Sequence, residues 1–149
     1  MTSKQERNLK KELKAEADRV WHRCCLKMWG NICFFDKSEK KANGHIKIVK
    51  HSHHLFPKGG GYGWLRYCIE IGVPICWPCH NKLEQGGDKS MQEQIIEIRG
   101  KVWFDKIKKM ISDRKTSFET ISWYAENIIR MKKYLNEPVD NSYLTYLKK

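Results

Sequence analysis

His51–Asn81 reads HSHHLFPKGGGYGWLRYCIEIGVPICWPCHN. It joins three histidines within four positions, a glycine-rich loop, a Leu-Arg-aromatic step and a Cys-x-x-Cys-His knuckle. Cys76 and Cys79 at this spacing place two thiolates on one tight turn, as half of a tetrahedral zinc site. Four glycines (59, 60, 61 and 63) and Pro57 exclude regular structure between Phe56 and Arg66. His54 on one side of that loop and His80 on the other are spaced so that a strand and the start of a short helix can face each other.

Outward from this span, the pattern is α+β. Lys4 to Trp29 reads as one helix, with Leu9, Leu13, Val20, Trp21, Cys24 and Met28 at helical spacing and Gly30-Asn31 as the stop. Ile32–Phe35 reads as a strand and DKSEKKANG (36–44) as a charged turn ending in Asn-Gly. His45–Lys50, with Ile46 and Ile48 alternating, reads as the second strand of a hairpin. Trp77–Gln85 reads as a short helix ended by Gly86-Gly87. Beyond it, the capping-box patterns at Ser90–Glu93 and Thr116–Glu119 open helices separated by Gly100 and a further helical stretch, Val102–Ser112. Glu137-Pro138 closes the last helix, and residues 141–149 read as a loosely held tail. The expected organisation is a helix over 1–30, a core over 31–87, a helical extension over 88–138 and a tail over 139–149.

The chain carries 29 Lys+Arg against 17 Asp+Glu, a net charge of +12, with a pI near 9.5 and a mean hydropathy of -0.69. The excess is spread along the chain rather than held in one arm. A basic body of this kind suits a polyanionic partner, nucleic acid first of all. No stretch is apolar enough to span a membrane, and the N-terminus lacks the apolar core of a secretory signal. A cytoplasmic setting is therefore expected, where six cysteines are metal ligands or core residues before they are disulfides. Cys24, Cys25 and Cys68 read as small hydrophobes.

The knuckle needs two further ligands. Cys33 and Asp36, spaced Cys-x-x-Asp, are the expected pair; Cys24, Cys25 and His45 are the other candidates. The histidines suit a second, divalent cation. Phosphodiester hydrolysis needs an activated water, charge neutralisation at phosphate and help for the leaving oxygen. An imidazole serves the first need and a hard cation the other two. In the loop, Lys58 and Arg66 suit phosphate, and Tyr62 and Trp64 suit stacking on an unpaired base. Lys82, on the short helix, would add to the basic surface.

The order of hairpin, His-His, glycine loop, Leu65-Arg66-Tyr67, Cys76-x-x-Cys79-His80 and helix resembles the HNH, or ββα-metal, endonucleases, and within them the NinG/Rap family of phage recombination endonucleases. The resemblance covers roughly Ile32 to Leu135. It implies a small ββα-metal core between the N-terminal helix and the C-terminal helical extension. It makes His54 the general base, His80 and His53 ligands of a catalytic Mg²⁺ or Mn²⁺, His51 the rival for His53, and Arg66 a phosphate contact. It further implies hydrolysis of branched or recombining DNA by a phage protein in a bacterial cytoplasm, with a homodimer compatible with cutting two strands. Two departures stand out. Ile71 occupies the middle Asn position, and the first Cys-x-x-Cys is reduced to Cys33 and Asp36. The alternatives are a catalytically inactive nucleic-acid-binding module on a zinc-knuckle scaffold, or a zinc-stabilised protein-interaction domain.

Overall fold

The computed structural model describes residues 1–55, 63–85, 89–113 and 118–147. Helix α1 (Ser3–Trp29) begins at a reciprocal cap: the Thr2 hydroxyl accepts from Gln5 N–H, and the Gln5 side chain accepts from Thr2 N–H. Leu13, Ala17, Val20, Trp21 and Cys24 form its buried stripe, the spacing that one helix face requires. Gly30 ends it at φ 84, donating to the Leu26 carbonyl, a conformation that favours glycine.

The sheet differs from the expected hairpin. Ile32 and Ile48 make a single antiparallel bridge. The chain turns back immediately after Cys33, with Asp36 N–H donating to the Cys33 carbonyl and Ser38 N–H to the Phe35 carbonyl. No further ladder can form on that side. The strands are instead β1 (Ser52–His54) and β2 (Gly72–Pro74), antiparallel, with His53 opposite Val73 and His54 opposite Gly72. They pair across the loop that separates the histidines from the knuckle. Helix α2 (Trp77–Gln85) follows directly, so the order at the site is strand, strand, helix.

Helices α3 (Lys89–Arg99) and α4 (Lys101–Ser112) meet at Gly100, which has φ 94. Helix α5 (Ile121–Tyr134) starts later than its expected box, at Thr120, whose hydroxyl accepts from Trp123 N–H. Thr116 and Ser117 lie outside the described residues. Residues 141–145 form a short helix α6 (Asn141–Thr145), capped by Asp140, and Tyr143 and Tyr146 pack against the apolar cluster of α1 and α5. The tail is thus docked by two aromatic rings.

Two apolar clusters result. One joins α1, α5 and Tyr67. The other joins Phe35, Leu55, Ile71, Val73 and Ile75 to Met91, Ile95 and Ile107 of α3 and α4. Between them runs the backbone of residues 69–72, held by side chains from three helices. Trp29 Nε1 donates to the Ile69 carbonyl, Trp103 Nε1 to the Glu70 carbonyl, and Arg99 to the Glu70 and Gly72 carbonyls. The Arg99 guanidinium lies 3.7 Å from the Trp29 ring centre and 5.2 Å from that of Trp103. Burial lowers its pKa to about 10, and the aromatic faces and carbonyls take the place of a carboxylate partner. Among the described residues no helix is long and apolar enough to cross a membrane.

Gly72 is fixed by space rather than by φ. A Cβ there would stand 2.3 Å from Cys25 Sγ. Gly72→Ala is expected to cost about 1–3 kcal/mol of unfolding free energy by overpacking. Adding Cys25→Ala should return part of that loss, and denaturant unfolding of both single variants and the pair would show the coupling.

Candidate functional site

Cys33, His45, Cys76 and Cys79 converge. Their ligating atoms all lie within 4.8 Å of one another, and His45 Nδ1 is 3.4 Å from the sulfurs of both Cys76 and Cys79. A tetrahedral zinc with ordinary Zn–S and Zn–N bonds has ligand edges of about 3.6 Å. The four residues are therefore placed to bind a metal ion, and three sulfurs with one imidazole are the donor set of a structural site. Local backbone supports it: Ala42 N–H donates to Cys79 Sγ, and Cys76 N–H to Cys33 Sγ.

The fourth corner belongs to His45, one of the open candidates. Asp36, expected as a ligand, instead takes the outer nitrogen of that ring, at 2.9 Å from Nε2. The turn after Cys33 points its carboxylate at the imidazole and not at the sulfurs. A carboxylate there fixes the ring and turns Nδ1 toward the metal position.

The sulfur chemistry agrees. Burial raises Cys33 to about 12 and also raises Cys79. Burial opposes ionisation of Cys76 as well, but N–H groups of Ile46 and Cys79 and the adjacent thiols bring it down to about 7. Three sulfurs this close cannot all be thiolates without a cation among them. Outside this cluster, burial raises Cys24 to about 11 and Cys68 to about 12, and raises Cys25 too. Those three are buried core thiols, two on α1 and Cys68 just before residues 69–71.

The histidines gather on the other side of Cys76. His54 Nε2 lies 2.7 Å from the Arg66 carbonyl. An N–H there donates to the carbonyl, so Nδ1 carries the lone pair. The ring stacks on Trp21 with centroids 4.0 Å apart at 2°, while Trp21 Nε1 is held by the Cys68 carbonyl. Leu55 N–H donates to the Ile71 carbonyl at 3.0 Å. Ile71 thus ties down the chain just beyond His54 through its main chain, while its side chain is buried.

His53 and His80 stack face to face, with centroids 3.6 Å apart at 16°. His80 Nε2 is 3.0 Å from Glu84 one turn along α2, and its Nδ1 is buried without a hydrogen-bond partner. Burial, and then the neighbouring His80 ring, lower His53 to about 3, so it is neutral at ordinary pH. His51 is exposed and lies edge-on to His22, 5.1 Å between centroids. His22 Nδ1 accepts from Ser52 N–H. Among the described residues, His51, His53 and His80 do not close into a second three-ligand group. Parallel stacked rings hold their lone pairs in parallel planes, so a cation shared by His53 and His80 requires one ring to turn.

Compared with known proteins, the chain matches no family model, no curated protein and no solved structure.

Arg66 is placed otherwise than expected. Its guanidinium is engaged bidentately by Asp18, both contacts 2.8 Å, with Tyr67 Oη also donating to Asp18. It is paired with α1 and largely buried. Lys82 likewise donates to the Lys40 carbonyl. Trp64 is half-buried against the first apolar cluster, and Lys58 and Tyr62 lie outside the described residues. Sequence reading passed over Asp18 and His22 and gave Trp21 only a place in the helix stripe, although their spacing of three and four puts them on one helix face. Glu84, four residues after His80, was legible by the same rule.

Two measurements follow from this geometry. Purified protein is expected to hold one tightly bound zinc, and Asp36→Ala to weaken metal affinity by about 10–100-fold; elemental analysis with competitive chelator titration checks both. Acid should destabilise the protein through His53. Above pH 6.5 both folded and unfolded rings are neutral; below it the unfolded chain takes up a proton that the folded ring refuses until about 3, so stability falls as pH falls through that window. His53→Gln should show a shallower decline of unfolding midpoint between those limits.

Proposed function

We propose that the chain is a metal-dependent DNA endonuclease of the HNH type, acting on branched or recombining DNA. The observation that carries this reading is the fixed tautomer of His54. The carbonyl of Arg66 holds its Nε2–H, leaving Nδ1 as the basic nitrogen on a strand that leads, through β2, into the helix bearing His80. A general base needs its ring held in one tautomer and one orientation, as the Arg66 carbonyl and the Trp21 face hold this one. The strand–strand–helix order and a metal knuckle at the helix start support the ββα-metal reading, with zinc as the structural ion.

His80 and His53 would hold a Mg²⁺ or Mn²⁺ ion. His80 has the features of a ligand: a buried lone pair on Nδ1 and a carboxylate on Nε2. His53 is neutral and available. Such a cation supplies charge neutralisation at the phosphate. His54 takes the proton of the attacking water, and Trp21 keeps the imidazole in one plane as it becomes charged. Ser52 N–H orients His22 beside His51 at the mouth of the site. The net charge of +12 favours binding of the polyanion.

The second reading is an inactive nucleic-acid-binding module built on the knuckle. The face-to-face packing of His53 on His80 favours it, because neither lone pair faces a common point in that arrangement. His54→Ala decides between the two. Cleavage of branched DNA with Mg²⁺ or Mn²⁺ is expected to fall at least about 10²-fold, with DNA affinity nearly unchanged. Wild-type protein that binds without any metal-dependent cutting would establish the inactive module.

A further inference from the structure

Beside the histidines lies a cleft of about 490 Å³ whose walls are His22, His51 and His53 on one side and Ile46, Ile48 and Trp77 on the other. The apolar wall is unusually open: Ile46 is 53% exposed, Ile48 54% and Trp77 64%. Trp77, at the first turn of α2, is the outer member of a column of rings. It lies 5.7 Å from His80 at 35°, and His80 in turn lies 3.6 Å from His53. Among the described residues no carboxylate lines this cleft, whereas Lys50 does. Another cavity, near Trp64 and Trp123, is lined by Glu70, Asp113 and Glu126.

We infer that this cleft receives an unpaired nucleotide of the nucleic acid, its base stacking on Trp77 at the open end of the ring column and its sugar lying along Ile46 and Ile48. Charge selects the occupant. An apolar shelf rimmed by lysine and imidazoles, on a chain of net charge +12, suits a flat, apolar-faced group attached to a phosphate chain. Stacking of a base on an exposed aromatic ring is sequence-tolerant and needs the base to be out of a duplex. A base inside a duplex is covered on both faces by its neighbours and cannot stack on Trp77. The cleft thereby makes the site selective for DNA with an unpaired nucleotide beside the phosphate that reaches His54. This rests on the reading of the chain as a nucleic-acid enzyme and adds the residue that chooses among its substrates.

The test is a binding measurement without added divalent cation, so that cutting plays no part. Fluorescence anisotropy of a short labelled oligothymidylate and of a blunt duplex of equal length is compared for wild type, Trp77→Ala and Trp77→Phe. The expected result is a loss of about tenfold for Trp77→Ala on the single strand, little change on the duplex, and retention within about threefold by Trp77→Phe. Equal losses on both probes, no loss on the single strand, or no binding of oligothymidylate by wild type would each overturn the inference. A changed sedimentation mass for Trp77→Ala with unchanged oligonucleotide affinity would overturn it as well, assigning the surface to a second copy of the chain. The nuclease reading is judged separately by His54→Ala in the cleavage assay: binding can depend on Trp77 in a protein that never cuts, and cutting can depend on His54 while Trp77 is neutral.

Discussion

The convergence of Cys33, His45, Cys76 and Cys79 is the constraint on which the site depends. Residues 31–50 contain one bridge and a series of turns, and α2 has only 9 residues, too few to be stable alone. Each strand of the sheet has three residues. None of these pieces stabilises itself. A metal ion held by the first turn, the loop at His45 and the start of α2 would cross-link all three, and its binding free energy would become folding free energy. Asp36 belongs to this same construction, because it orients the one ring whose side chain could otherwise turn away.

A second brace acts from the opposite side. Arg99, Trp103 and Trp29 converge on the carbonyls of residues 69–72, the stretch that becomes β2. The Ile71 carbonyl then fixes Leu55, and the Arg66 carbonyl fixes His54. His54 is thus located by a relay of main-chain bonds that begins in α1, α3 and α4. The helical extension braces the histidine strand through the backbone of one short segment.

Helices were legible in the sequence because their apolar spacing persists over many residues; the Gly100 break and the α1 stripe are examples. The sheet was not, because period two cannot be established in three residues. The alternation at Ile46 and Ile48 imitated a strand, yet both side chains are more than half exposed and only Ile48 is in a bridge. The knuckle was half legible. Spacing identifies Cys76 and Cys79, but the choice among Cys24, Cys25, Asp36 and His45 depends on a turn that tertiary packing sets. Arg66 illustrates the reverse case. Its setting beside a glycine loop suggests phosphate, while its partner Asp18 lies on α1, far away in sequence and invisible to local pattern.

The bond from His54 to residue 66 involves a carbonyl. Every amino acid supplies that acceptor, so no substitution at position 66 can delete it. What the Arg66 side chain contributes, through its clasp on Asp18, is where the carbonyl sits. The identity of the acceptor is insulated from mutation while its position is not. Drift at 18 or 66 would therefore degrade the site gradually, by moving the imidazole a fraction of an ångström at a time, and sequence comparison confined to the histidines would register no change.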